Sequence, residues 1–370
     1  MVDVKSQYLK IKEEVDRGIQ EVLDTTAFIN GPQVKKFQKE FEAYLGVKHV
    51  IPCANGTDAL QIAMMAVGLK PGDEVIVPAF TYVATAEVIA LLGLVPVMVD
   101  VDADTFNVNI KGIQAAITSK TKAIVPVHLY GQAAYMESIM KIAEEYQLWV
   151  IEDNAQAIGA DYTFSDGRTA KTGTIGHIGC TSFYPSKNLG CYGDGGAIMT
   201  NDDELGTLLH KIANHGQVVR YYHDVVGCNS RLDSIQAVVL SAKLPHLDAY
   251  RDARVKVADF YDAAFKDVKA LETPYRASYT THVFHQYTLK VKDGSRDALK
   301  AYLDGQKIPN MIYYPVPLYK QEAFKASSNG LDYLENTETL CKEVISLPIH
   351  TEMSEEQLAY ICEKVKAFFG

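Results

Sequence analysis

Residues 180–201 read CTSFYPSKNLGCYGDGGAIMTN, and the rest of the chain is best understood outward from them. A β-type run from Cys180 to Tyr184 delivers Lys187 into a loop that also holds Gly190, Gly193, Gly195 and Gly196. A second apolar run, Ala197 to Met199, leaves the loop. Glycine permits positive φ and lets a backbone approach a ligand closely. A lysine held in such a loop by sheet residues is a candidate for trapping a carbonyl group, although most lysines are solvated surface charges. The flanking sequence decides which description applies.

Upstream, short apolar runs alternate with helical segments. HVIPC (49–53) leads to a helix from Thr57, and EVIVP (74–78) to a helix from Thr85. VPVMVDV (95–101), AIVPVH (123–128), a helix near 135–146 and LWVIED (148–153) follow. This alternation predicts an α/β fold, a largely parallel sheet with helices on both faces. Ligands in such sheets gather beyond the carboxyl ends of the strands. Cys53, Pro78, His128, Asp153 and Tyr184 lie at or near those ends.

Ahead of the first strand, Leu9 or Ile11, Val15, Ile19 and Val22 or Leu23 fall at helical spacing over residues 8–24. After the turn Asn30-Gly31-Pro32, a second helix carries the stripe Val34, Phe37, Phe41 and Leu45. Both stripes read as core packing. Beyond Asn201, helices are expected over 231–247 and 249–265. A smaller α+β region follows, with strand-like runs VFHQYTLKV (283–291) and PNMIYYP (309–315), a helix from Ser295 to Gln306 and a closing helix from Ser354. The expected division is a large domain of residues 1–248, leading helices included, and a small domain of 249–370, with the break at Pro245.

At 370 residues, with 48% hydrophobic and 22% charged residues, the composition suits a globular protein of two domains. A net charge of −10 without a basic run argues against nucleic-acid or anionic-membrane partners. The N-terminal stretch lacks a signal-peptide core, and no apolar run is long enough to cross a bilayer. The six cysteines lack CxxC or Cys/His ligand spacing, so they are expected to be reduced, the location cytoplasmic and a metal site absent.

Three features carry chemistry. Asn55-Gly56-Thr57-Asp58 sits between a strand and a helix, where Thr57 or Asn55 caps the helix and the first-turn N–H groups form an anion site. An ordinary N-cap explains the same residues. Asp153 ends a strand that should be buried, so its carboxylate needs a cationic or hydrogen-bonding partner, and a protonated pyridine nitrogen is one. Capping the next helix is the alternative, and Glu152 points to the opposite face. Lys187 supplies an amine. A phosphate site, an acid for a heterocyclic nitrogen and an imine-forming lysine are together what pyridoxal 5′-phosphate requires. Neither GxxxxGK[ST] nor a well-placed GxGxxG is present.

The chain resembles the DegT/DnrJ/EryC1/StrS sugar aminotransferases, which have the type I pyridoxal-phosphate fold. The resemblance is densest in NGTDAL (55–60), PAFTYVATAE (78–87), PVHLYGQ (126–132), VIEDNAQAIGA (150–160), TSFYPSKNLGCYGDGGAI (181–198) and GCNSRLDSIQA (227–237). It implies that Lys187 holds the cofactor as an imine and moves the proton between Cα and C4′. Dehydrating members have histidine there, so lysine points to amino transfer. It further implies that Asp153 partners the pyridine nitrogen, Gln156 contacts O3′, and Tyr82, rather than Phe80, stacks on the ring. Gly56, Thr57 and Ser182 match the phosphate cradle. Asn229 matches a residue that reaches the neighbouring subunit's cofactor, implying a homodimer with shared active sites.

Within the family, the chain is most similar to enzymes that aminate UDP-2-acetamido-3-oxo-glucuronate for surface polysaccharides. L-glutamate and a nucleotide-linked 3-keto sugar are the implied substrates. Arg231 is then the candidate partner of the uronate carboxylate, a helix-start salt bridge being its ordinary role. Tyr313 stands where that subgroup has histidine, Tyr319 where many relatives do, and Tyr313 and Tyr314 are candidates for meeting the sugar. Packing between domains is the other use of these aromatics. A 4-keto nucleotide sugar, a keto-inositol, or a non-catalytic cofactor-binding regulator are the rival readings.

Overall fold

The computed structural model describes residues 1–325 and 331–370. Five strands come first: β1 (His49–Cys53), β2 (Glu74–Pro78), β3 (Val95–Val99), β4 (Thr121–Ile124) and β5 (Trp149–Asp153). A hairpin of β6 (Asp161–Thr163) and β7 (Thr169–Lys171) follows, then β8 (Ile178–Ser182) and β9 (Gly196–Thr200). The large sheet has the order β1-β9-β8-β5-β4-β2-β3. Pairing is parallel from β3 through β2, β4 and β5 to β8, whereas β9 runs antiparallel to both β8 and β1. The loop after β8 returns the chain directly beside that strand, which an antiparallel partner allows without a crossover helix.

Apolar side chains leave both faces of the sheet. Ile51, Val75, Val77, Ile151 and Ile198 pack with the helices Gly56–Ala66 and Ala84–Leu91. On the other face Ile76, Ile124 and Val150 meet the helix Met136–Tyr146, while Val50 and Met199 meet Phe37 and Phe41 of the helix Pro32–Leu45. Each such fully buried aliphatic side chain stabilises the fold by about 1.5–3 kcal/mol relative to exposure. A second core lies around a three-stranded antiparallel sheet of β10 (Leu271–Glu272), β11 (Tyr287–Val291) and β12 (Val344–Leu347). The helix Leu247–Phe265 joins the two, with Leu247 in the core of the large sheet and Val257, Tyr261 and Phe265 in that of the small one.

Three expectations need correction. The leading helix is two, Val4–Lys10 and Lys12–Thr25, divided at Ile11. Ile11, Val15 and Val22 are buried, while Leu9 and Leu23 face solvent. The run 309–315 is not a strand: Met311 bridges Ser346, and prolines at both ends, Pro309 and Pro315, lack the N–H that a ladder requires. The loop glycines Gly190, Gly193, Gly195 and Gly196 do not use positive φ. Gly190 and Gly196 are needed for close packing instead: a Cβ on Gly190 would lie 2.5 Å from the Pro185 carbonyl oxygen, and one on Gly196 2.4 Å from the carbonyl carbon of Asn55.

One buried carboxylate fixes the approach to β8. Glu152 is fully buried and accepts hydrogen bonds from the N–H groups of Gly173 (2.8 Å), Ile175 (2.7 Å) and Gly176 (2.6 Å). His128 is its fourth partner at 2.8 Å. Because His128 Nδ1 accepts from the Ala134 N–H at 3.1 Å, its Nε2 carries the proton and donates to Glu152. Glu152→Gln leaves these donors facing an amide that can accept from few of them. The variant is expected to lose about 3–5 kcal/mol of stability, measured by urea unfolding.

Candidate active site

The register of the sheet brings two distant segments together. Gly196 pairs with Ser182 on one side and with Cys53 on the other, so the chain leaving β1 emerges beside the end of β8. There Asn55 caps the helix Gly56–Ala66, its side-chain oxygen accepting from the Asp58 N–H at 2.8 Å. Among the described residues, the N–H groups of Gly56 and Thr57 have no partner. Gly56 lies so near Ser182 that a Cβ would come within 2.7 Å of the serine Cβ. A capped helix start with free N–H groups beside a hydroxyl is a fit for a phosphate.

Asp153 ends β5 and is buried. Its Oδ2 accepts from Thr85 Oγ1 at 2.7 Å and its Oδ1 from the Ala155 N–H at 3.2 Å. The Lys187 backbone N–H donates to Tyr184 at 2.8 Å, which closes the turn after β8. The Lys187 amine makes no hydrogen bond or ion pair among the described residues. Lys187 keeps some accessible surface, yet the protein around it strips enough water to push its pKa down to about 8, against the pull of the Asp153 charge. The adjacent Asn188 donates to the Val283 carbonyl at 3.0 Å, tying the loop to the segment that leads into β11. On that segment His285 is buried, and burial together with the charges of Lys187 and Arg254 holds it neutral.

Aromatic residues gather near Gln156. Its Oε1 accepts from the Tyr130 N–H at 2.8 Å, so its Nε2 is the donor, directed to the Tyr314 hydroxyl at 3.2 Å. Tyr130 in turn donates to the Tyr313 carbonyl. The ring of Tyr314 lies 5.9 Å from Phe80 and 6.4 Å from Tyr82. Phe80 is buried, whereas Tyr82 is 58% exposed and its ring is available to another planar group. Both residues follow β2 rather than belonging to it. Of the two uses open to these aromatics, Tyr319 takes packing: it is buried and donates to Glu338 at 2.6 Å.

Asn229 and Arg231 are not joined to this group within one chain. Arg231 lines a surface pocket with Gln38, His49 and Ser230, and forms no ion pair among the described residues. The segment is nonetheless anchored near the helix start, because Ser230 Oγ accepts from the Ala54 N–H at 3.0 Å.

An amine and a helix start with N–H groups that are unpartnered among the described residues lie with a buried carboxylate at the carboxyl ends of the strands, which suits a group bearing a carbonyl, a basic ring nitrogen and a phosphate. Thr85, Tyr130 and Asn188 hold Asp153, Gln156 and the lysine loop respectively, and escape a reading by residue type. The only local sign is that Thr85 sits in the first turns of the helix after β2, and Asn188 beside the lysine.

Comparison with known proteins bears on this arrangement. Residues 9–366 match the DegT/DnrJ/EryC1/StrS aminotransferase family. A protein of Geobacillus stearothermophilus named pleiotropic regulatory protein is 46% identical over 371 residues, covering 100% of this chain and 98% of the relative. The UDP-2-acetamido-2-deoxy-3-oxo-D-glucuronate aminotransferase of Pseudomonas aeruginosa is 45% identical over 361 residues, covering 98% of each chain. The crystal structure of a DegT DnrJ EryC1 StrS aminotransferase from Brucella abortus is 42% identical, with a TM-score of 0.94, over 100% of this chain and 99% of that one. Likeness of this extent, sustained from one end to the other, shows that the chain belongs to the DegT/DnrJ/EryC1/StrS aminotransferases, enzymes that depend on pyridoxal 5′-phosphate.

Proposed function

We propose that the protein transfers the amino group of L-glutamate to the C3 keto group of a nucleotide-activated sugar, releasing the 2-oxo acid and an amino sugar. The reading rests on one observation above others: Lys187, an amine without a partner among the described residues, lies close enough to the buried Asp153 for their charges to interact. The 45% identity to the Pseudomonas aeruginosa enzyme over almost the whole chain supports the choice of sugar. Bound here, pyridoxal phosphate supplies an electron-accepting ring.

In this proposal the helix start at Gly56 and Thr57, with Ser182, receives the phosphate. Asp153 keeps the ring nitrogen protonated, and the bond from Thr85 orients its carboxylate. Gln156, its amide direction set by Tyr130, donates toward the ring oxygen. Tyr82 covers the ring face. Lys187 would hold the cofactor and, once released from it, would move a proton from the donor's Cα to the cofactor's C4′ in the first half-reaction and from C4′ to the sugar carbon that receives the amine in the second. The lowered pKa suits both tasks, since a free amine is required for attack and for proton abstraction. Tyr313 and Tyr314 flank the acceptor.

The active unit is proposed to be a homodimer. Val218, Val219, Tyr221, Tyr222 and Val226 expose their side chains, Val226 by 85%, immediately before Asn229. Such a patch favours burial against another protein surface. A second copy would bring its Asn229 and Arg231 to the Lys187 of the first, with Arg231 as the partner of a uronate carboxylate.

Three outcomes are expected. Lys187→Ala abolishes turnover and the visible absorbance of bound cofactor; full transaminase activity in this variant would refute the assignment. In cofactor-free protein, an amine-reactive label followed by peptide mass spectrometry should modify Lys187 with a midpoint near pH 8, well below an ordinary lysine. Mixing inactive Lys187→Ala and Arg231→Ala proteins should restore about a quarter of wild-type activity, because half of the dimers then carry one complete site. No recovery would count against shared sites. A panel of 3-keto and 4-keto nucleotide sugars and keto-inositols, scored by discharge of the amino group, tests the acceptor.

A further inference from the structure

Lys243 ends the helix Ser234–Lys243 and is 1% exposed. Its amine donates to the Gly190 carbonyl at 2.7 Å and lies 4.6 Å from the centre of the Tyr192 ring. Among the described residues it has no carboxylate partner. Burial drives its pKa down to about 8. A buried cation without a counter-charge is costly, and an apolar side chain of the same length avoids that cost. Fold stability alone therefore gives little reason for a lysine here.

The bond reaches the loop that carries Lys187. The same helix grips the loop a second time, Gln236 Oε1 accepting from the Tyr192 N–H at 2.8 Å. From the opposite side Asn188 is tied to Val283. Within the loop, Gly190 lies against the backbone of Tyr184 and Pro185, and the Tyr184 carbonyl accepts from the Lys187 N–H at 2.8 Å, so that a shift of Gly190 bears on the turn that carries Lys187.

We propose that Lys243 is a positioning residue for Lys187: its hydrogen bond to the Gly190 carbonyl fixes the loop so that the Lys187 amine stands at the distance from Asp153 that amino transfer needs. This rests on the assignment of Lys187 as the cofactor-bearing lysine. Lys243 touches neither substrate nor cofactor in this account, and acts through the loop.

The experiment compares holoenzymes of the wild type, Lys243→Met, Lys243→Gln and Lys187→Ala. Lys243→Met should unfold in urea at or above the wild-type midpoint. Its kcat should fall on the order of 10²-fold with KM for the amino donor little changed. The pH midpoint of the bound cofactor's visible absorbance should move by about one unit. Lys243→Gln keeps an N–H donor without the charge and should recover part of both losses; it also serves if the methionine variant does not fold. A folded Lys243→Met with wild-type rate and absorbance midpoint overturns the proposal. So does a loss of stability and rate together with an unmoved midpoint, since that describes packing alone. A Lys187→Ala protein that keeps the wild-type absorbance titration instead refutes the underlying assignment, independently of Lys243.

Discussion

The fold turns on the burial of one carboxylate. Glu152 sits inside the sheet without contact to solvent, and its charge is met by three backbone N–H groups and a histidine whose proton position is set by the Ala134 amide. A charge in that position is tolerable only while every donor stays in place. The loop 173–176 cannot drift without exposing it, and that loop feeds β8. The next residue along β5 is Asp153, on the other face. Adjacent acids on one strand thus have different uses, one holding the architecture and the other presented at the strand edge.

At that edge the electrostatics are arranged by what is withheld. Among the described residues, Asp153 has a hydroxyl and an amide as partners but no buried cation bonded to it, and the Lys187 amine has no hydrogen-bond acceptor. The desolvation that lowers the lysine pKa outweighs the attraction of the acid. Two groups that would neutralise each other at contact therefore keep their separate reactivity.

Much of this was legible in the chain because it lies at strand ends. The apolar run EVIVP became a strand with its expected bounds and LWVIED one that starts a residue later, and the residues at or past such strand ends, Asn55, Asp153 and Lys187, are the ones that converge. The choice between Asn55 and Thr57 as cap needed the observed hydrogen bond. What escaped was non-local. Thr85 meets Asp153 across 68 positions and Lys243 meets Gly190 across 53, separations that no periodicity encodes. Tyr319 looked comparable to Tyr313 in sequence, but a partner at Glu338 draws it inward. The loop glycines were legible as special, yet for the wrong reason, since crowding rather than positive φ excludes side chains there.

That crowding divides the sheet edge into a part that evolution can edit and a part that it cannot. Where Gly196 lies against the Asn55 backbone and Gly56 against the Cβ and Cα of Ser182, atoms that cannot swing aside fill the space, and even a methyl group has no room. Around Tyr313 and Tyr314 the boundary is made of side chains, which can be exchanged while the main chain stays put. If Tyr313 and Tyr314 meet the acceptor as proposed, such a scaffold can change the molecules it accepts through a few substitutions there and leave its chemistry untouched. Divergence of substrate within an unchanging reaction is then a property of the packing itself.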